Sequence, residues 1–412
     1  MCGLKNLLVI QSGGPTAVIN SSLAGVIKGG FDNGEKVGKI FGGLFGIEGV
    51  TEEKIVSLEK FREEGMLDLL RQTPSSYLGS CRKKLPKLEE DREFYERIFE
   101  VFKKYDIGYF FCIGGNDSMD TVDKMSRYAE LVGSDVRVIG IPKTIDNDLA
   151  LTDHTPGYGS SAKFVANSMR QLKKDTEVYG MPSVIVLEAM GRNAGWLTAA
   201  AALANDESTR AADIVCLPEV DFEMDAFLAR VERVSREQET VMIAVSEGIH
   251  DKNGTYVMEG VSGVPKENDR FGHAALGGVG QLVRNCISNG LGLKVRSIEL
   301  STLQRCWASG ASLCDVNEAF EAGYAGVGYG CEGMTGVVPG FRRVSDKPYK
   351  IEIIPYDVKQ IANVEKKIPT EMIAEDGFGV TDKFLKYAMP LIEGEPQLKY
   401  KNGQLQFAPK VW

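Results

Sequence analysis

The stretch PKTIDND, Pro142 to Asp148, sets two carboxylates, Asp146 and Asp148, on either side of Asn147, with Lys143 three residues ahead of the first. Phosphoryl transfer to a hydroxyl takes a carboxylate that accepts the alcohol proton, cations that neutralise the phosphoryl oxygens and, usually, Mg2+. This loop carries the first two within seven residues. An acidic surface turn would have the same composition. The spacing is not that of an EF-hand, so calcium is not the expected ligand.

Other short stretches carry groups of the same kind. In SGGPT (12–16), Gly13 and Gly14 let backbone N–H groups approach an anion, and Pro15 suits a first helical turn. It is neither a Walker A loop nor GxGxxG, and a purely structural turn would read alike. In FFCIGGNDSMD (110–120), Gly114 and Gly115 end an apolar run, and Asn116, Asp117 and Ser118 follow. Asp117 and Ser118 could cap the next helix. Asn116 and Asp117 could equally face a divalent cation or a polyphosphate. EAMGRNAGW (188–196) offers Gly191 for close approach and Arg192 as a bidentate fork for phosphate or sugar hydroxyls. SEG (246–248) puts Glu247 at a strand end, as a sugar acceptor or a cap. KVRSIELSTLQR (294–305) flanks a strand with Arg296 and Arg305, as phosphate ligands or surface charges.

These turns need strands to hold them. LLVI (7–10), GYFFCI (108–113), VRVIGI (136–141), SVIVLEA (183–189) and VMIAVSE (241–247) are unbroken apolar runs, as in parallel strands covered on both faces. Helical patterns separate them, including the charged amphipathic segments 88–105 and 224–240. The expected class is α/β with mostly parallel sheets, whose ligands bind beyond the carboxyl ends of the strands. GYAGVGYGCEGMTGVVPG (323–340) reads as packed turns and short strands. The tail after about 345 reads as peripheral structure ending in a helix, DKFLKYAMPLI (382–392).

Composition excludes several classes. The chain has 412 residues, 43% hydrophobic and 25% charged, the profile of an ordinary globular protein of two or three domains or two interleaved lobes. A net charge of −9 argues against nucleic acid or an anionic membrane as partner. Eight scattered cysteines with no C-x-x-C read as free thiols of a reducing cytosol. His154, His250 and His273 lack zinc-ligand spacing. The first apolar run is too short for a signal peptide, Cys2 rules out N-myristoylation, and no stretch reaches membrane-spanning length.

Taken together and in order, the SGG turn, LGSCR (78–82), GGNDS, PKTIDND, MGR (190–192), SEG and LQR (303–305) resemble the phosphofructokinase family from near residue 5 to about 330. That resemblance implies two Rossmann-like lobes, their sheets sandwiched by helices, with the active site in the cleft between them. It implies a phosphoryl-donor lobe of 1–157 completed by about 304–345, and a sugar-phosphate lobe of 158–303 completed by the 346–412 tail. Asp146 is then the base that takes the proton of the sugar's 1-hydroxyl, with Thr144 and Ile145 beside it, and Asp148 is its neighbour toward the metal. Gly13, Gly14, Gly115 and Lys143 hold the donor, and Arg82 lies near the transferred group. Met190, Gly191, Arg192, Glu247, Thr302, Leu303, Gln304 and Arg305 hold the sugar phosphate, with Arg296 reaching in from a neighbouring subunit.

Within the family, ATP users resemble GGDGS with PGTIDND, and pyrophosphate users resemble GGDDS with PKTIDND. Asp117 and Lys143 align this chain with the second group. An aspartate fills the room an α-phosphate and nucleoside would need, and a lysine supplies a point charge to the transferring group. The implied activity is Mg2+-dependent transfer from pyrophosphate to fructose 6-phosphate, giving fructose 1,6-bisphosphate and phosphate. It would occur in a cytoplasmic homodimer or homotetramer with shared active sites. Asn116, Asp117 and Asp148 are the candidate metal positions, although Asn116 stands where relatives carry an acid, and Thr302 stands where they often carry His or Tyr. An ATP-dependent kinase and a catalytically silent sugar-phosphate-binding subunit are the competing readings.

Overall fold

The fold begins with which way each strand residue turns. The computed structural model describes residues 4–259 and 277–412; Cys2 and His273 lie outside the described residues. In chain order the strands are β1 (Lys5–Gln11), β2 (Val37–Gly43), β3 (Ile55–Ser57), β4 (Ile107–Gly114), β5 (Arg137–Pro142), β6 (Ser183–Ala189), β7 (Ile214–Cys216), β8 (Thr240–Ser246), β9 (Lys294–Glu299), β10 (Val337–Asp346) and β11 (Tyr349–Asp357). Leu7 and Val9 of β1 join one hydrophobic cluster with Phe111, Ile113, Ile139 and Ile141. Leu8 and Ile10 join another with Phe110, Cys112 and Val138. Both faces are therefore buried, which is why these strands are continuously apolar rather than alternating. Each fully buried Leu, Ile or Phe contributes about 1.5–3 kcal/mol.

The chain divides into two compact units. The first comprises Met1–Ser160, Arg305–Glu365 and Gly394–Trp412, and the second Ser161–Gln304 and Lys366–Glu393. Among the described residues the first unit's sheet has the order β11-β10-β5-β4-β1-β2-β3. β1 pairs in parallel with both β2 and β4, so the strand order reverses there. Such a reversal places a crevice at the strands' carboxyl ends, where SGGPT and GGNDS emerge. The second unit's described sheet has the order β7-β8-β6-β9, all parallel. MGR leaves the end of β6 and SEG the end of β8.

Two expectations are corrected. Residues 323–331 are not turns and short strands but the last part of a helix, Leu313–Cys331. Its glycines serve helix packing. A Cβ on Gly323 would lie 2.1 Å from the Ser22 carbonyl oxygen, and one on Gly25 would lie 2.0 Å from that of Phe320. The helix Ile19–Asp32 and this one thus touch backbone to backbone, an approach any larger residue would block. The tail also does not pass as one piece to the sugar-phosphate lobe. β11 pairs antiparallel with β10 in the first unit's sheet, and only Lys366–Glu393 belongs to the second unit. The helical turns Asp382–Ala388 and Met389–Ile392 are not the end, since a short hairpin, Tyr400–Lys401 with Gln404–Leu405, follows.

Candidate active site

In the first unit, the glycine loop is threaded between cations. Gly13 has φ +76°, its N–H donates to the Cys81 carbonyl at 3.1 Å, and the Ser80 hydroxyl donates to the Gly13 carbonyl at 2.6 Å. The Lys143 ammonium donates to the Gly14 carbonyl at 2.6 Å. A Cβ on Gly13 would sit 3.4 Å from Lys143 Nζ, and one on Gly14 would sit 3.5 Å from Arg305 Nη1. Side chains at these two glycines would crowd the two cations.

Lys143 is 2% exposed. Burial pulls its pKa down to about 8, against the opposing field of Asp146. Arg305 is likewise held below its usual range, first by burial and then by the Arg82 cation. Lys143, Arg305, Arg82 and Asp146 therefore act on one another. The Arg305 guanidinium lies beside the Gly14 backbone, and Arg305 is the first residue after Gln304 to belong to the first unit.

The PKTIDND loop is tightly stapled. Asn147 adopts φ +55°, and its buried amide oxygen accepts from the Thr155 N–H at 3.1 Å. The Thr155 hydroxyl donates to the Thr144 carbonyl at 2.9 Å. The Thr144 hydroxyl accepts from the Asp146 N–H at 3.1 Å and donates to its carboxylate at 3.3 Å. Ile145 is buried, whereas Asp146 and Asp148 are only half-buried.

The helix Asn116–Leu131 begins after Gly115, which occupies the cap position, and no side chain caps it. Asp117 and Ser118 are thus not caps, and the Ser118 and Met119 N–H groups both donate to the Gly115 carbonyl at 3.0 Å. Asp117 lies in that turn and pairs with Lys84 at 3.2 Å. The Asn116 amide is engaged at both ends, accepting from the Asn363 N–H at 2.6 Å and donating to the Val364 carbonyl at 2.9 Å. Among the described residues, no group of three or more His, Cys, Asp or Glu side chains could cage a metal ion.

In the second unit, the MGR and SEG turns are tied together. Gly191, at φ +133°, donates its N–H to the Glu247 carboxylate at 3.3 Å. The fully buried Ser246 hydroxyl donates to the Gly191 carbonyl at 2.5 Å and accepts from the Gly248 N–H at 3.1 Å. Gln304 braces the same turn, its amide oxygen accepting from the Met190 N–H at 3.1 Å and its NH2 donating to the Ser301 carbonyl. Arg192 is half-buried, and Thr302 and Leu303 are exposed. Arg296 is not brought to these turns. It aligns with Ile185, four residues before Ala189, and so lies about 13 Å short of them along the strand. It sits on the edge strand β9, loosely paired with Asp175 at 3.7 Å, beside the exposed Tyr179 and Met181.

Several supporting residues were not foreseen. Ser246 is one, and its place inside SEG was the available signal. Glu188 is another. Buried at the end of β6, it accepts the N–H groups of Gly278 and Gly280 at 3.1 and 2.8 Å, holding the start of the helix Val279–Leu291, and burial raises its pKa. An acid closing an apolar run was its signal. Thr155 and Asn363 carried none.

Comparison with known proteins gives a consistent result. The phosphofructokinase family profile matches residues 6–328. A pyrophosphate–fructose 6-phosphate 1-phosphotransferase of Methylococcus capsulatus is 42% identical over 401 residues, covering 97% of this chain and 94% of that protein. One of Xanthomonas campestris pv. campestris is 42% identical over 402 residues, with 97% and 94% covered. The crystal structure of a pyrophosphate-dependent phosphofructokinase from Nitrosospira multiformis superposes with a TM-score of 0.88 at 37% identity, covering 98% of this chain and 96% of the other. This chain belongs to the phosphofructokinase family.

Proposed function

We propose that this chain transfers a phosphoryl group from pyrophosphate to the 1-hydroxyl of fructose 6-phosphate, forming fructose 1,6-bisphosphate and phosphate, and runs the reaction in both directions. The observation that carries this reading is the donor side. A buried lysine and Arg305 line a glycine loop, and an aspartate stands in the first turn of the adjacent helix, where its side chain and charge would oppose a nucleotide's α-phosphate. The relatives' names support the same reading.

In this reading Lys143, Arg82 and the helix start at Gly115 neutralise the pyrophosphate oxygens, and Arg305 holds the sugar phosphate beside them. Asp146 accepts the proton of the 1-hydroxyl as its oxygen bonds to the transferring phosphorus and the bond to the leaving phosphate breaks. Thr144 fixes the carboxylate that receives the proton. Met190, Gly191, Arg192 and Glu247 hold the sugar phosphate. Asp117 and Asp148 suit Mg2+, which commonly sits on one or two carboxylates plus substrate phosphate oxygens. The ion supplies charge neutralisation on the phosphates.

Arg296 completes the sugar-phosphate site of a second subunit, so the protein is a homodimer or homotetramer. Its distance from MGR and the apolar residues beside it support this. No helix among the described residues is long and apolar enough to cross a membrane, and we assign the protein to the cytoplasm with no nucleic-acid or membrane partner.

The test follows phosphorus by 31P NMR. Fructose 6-phosphate with pyrophosphate and Mg2+ should yield fructose 1,6-bisphosphate and phosphate. Fructose 1,6-bisphosphate with phosphate should yield pyrophosphate. Turnover with ATP alone would favour the nucleotide-dependent reading, and turnover with neither donor would favour a silent binding subunit.

A further inference from the structure

Asn116 stands where the family's acid is expected, and its surroundings give the amide a use of its own. Its oxygen accepts from the Asn363 N–H at 2.6 Å and its NH2 donates to the Val364 carbonyl at 2.9 Å. One turn further along the same helix, Asp120 accepts from the Asn363 side-chain NH2 at 2.9 Å. Asp120 is also paired with Lys124 at 2.7 Å, and Lys124 donates to the Leu85 carbonyl at 2.9 Å. Leu85 follows Lys84, the partner of Asp117. Asn363 holds φ +61°, a conformation asparagine tolerates better than most residues. On its other side the segment forms an antiparallel bridge from Glu365 to Leu149, the residue after Asp148.

The exposed segment 363–365 is thus fastened at one end to the first turns of the donor helix and at the other to the catalytic loop. We propose that Asn116 is a positioning residue whose amide fastens segment 363–365 to the donor helix and so sets the placement of Asp117 relative to the PKTIDND loop, and that it is not a metal ligand. The inference rests on the donor-selecting role of Asp117. Only a side chain with both a donor and an acceptor can make this clasp. An ionised aspartate has acceptors alone, and would face the Val364 carbonyl with another oxygen. A carboxylate in place of an amide would, conversely, strengthen any metal site it belonged to.

Asn116→Asp therefore separates the two roles. A positioning residue predicts a KM for pyrophosphate raised about two- to tenfold, the worth of one ordinary hydrogen bond, a KM for fructose 6-phosphate unchanged, and a half-saturating Mg2+ concentration unchanged or higher. Asn363→Gly keeps the backbone N–H and the left-handed conformation but removes the bond to Asp120. It should raise the pyrophosphate KM in the same direction although Asn363 is not among the residues assigned to pyrophosphate. Hydrogen exchange of the peptide covering 360–367, followed by mass spectrometry, should quicken in both variants. That readout needs no turnover, so it scores the clasp even if the proposed reaction is wrong. Tighter Mg2+ dependence in Asn116→Asp overturns the proposal. So does unchanged exchange, or quickened exchange with an unchanged pyrophosphate KM in an active enzyme.

Discussion

Removing the Lys143 charge should make the enzyme nearly inactive with pyrophosphate and, at the same time, more stable. The ammonium is buried, and its pKa is pulled from 10.5 to about 8 by that burial. A tenfold change in proton affinity is worth about 1.4 kcal/mol, so at neutral pH the folded protein bears roughly 3 kcal/mol for keeping this charge inside. The sign follows from the direction. The folded pKa is below the unfolded one, so the cost is complete below about pH 8 and relieved as pH climbs toward 10.5. Lys143→Met keeps the length without the charge. Its midpoint of thermal unfolding at pH 7 should rise, while kcat/KM for pyrophosphate should fall about a hundred- to a thousandfold, the effect of losing one preorganised charge-stabilising group. In the wild-type enzyme the same pKa should appear as an alkaline limb. A group titrating at about 8 is roughly half charged at pH 8 and about one-tenth charged at pH 9, so kcat/KM for pyrophosphate should track those fractions. Pyrophosphate titrates too, and the variant separates the two causes: a limb belonging to the substrate persists in Lys143→Met, and one belonging to the lysine vanishes. A Lys143→Met protein with near-normal kcat/KM, or with the same alkaline limb, would refute this reasoning.

Asp117→Gly should admit ATP weakly, raising its kcat/KM relative to that of pyrophosphate. An unchanged ratio in a folded protein would mean position 117 selects nothing. Mixing inactive Asp146→Asn and Arg296→Ala parents, with subunit exchange demonstrated, should restore part of the activity, since hybrids contain a site with neither lesion. No recovery would remove Arg296 from a shared site. His154 bridges Asp153 at 2.8 Å and Glu318 at 2.7 Å, and the two carboxylates outweigh burial to raise its pKa to about 9. A raised pKa means its stabilisation is full below about pH 6.5 and lost as pH rises through 9. His154→Gln should cost about 3–5 kcal/mol at pH 7, by leaving the buried Glu318 carboxylate without its cation, while Asp153 keeps its pair with Arg343 at 2.9 Å, as read from denaturant unfolding. A loss under about 1 kcal/mol would contradict this.

What was legible in the sequence was local. Continuous apolar runs such as LLVI and FFCI marked strands buried on both faces, and the glycines after them marked the turns at the strands' carboxyl ends. PKTIDND carried its two carboxylates, its lysine and its turn in seven residues. What was not legible depends on partners distant in sequence. GYAGVGYG looks like a turn until Gly323 meets the Ser22 carbonyl of another helix. Arg305 adjoins Gln304 in sequence, yet its guanidinium lies at Gly14 while the Gln304 amide braces Met190. Asn116 looks like a weakened metal ligand until Asn363 and Val364, almost 250 positions away, take both ends of its amide. The tail looked peripheral because antiparallel pairing of β11 with β10 leaves no motif.

The most direct measurement is the ratio of kcat/KM for pyrophosphate to kcat/KM for ATP, taken with saturating fructose 6-phosphate and Mg2+ on one preparation of the unaltered enzyme. With Asp117 and Lys143 in place the ratio should exceed about a hundred, as expected when one donor is rejected by both space and charge. Comparable values for the two donors, or a preference for ATP, would contradict the assignment of this site to pyrophosphate.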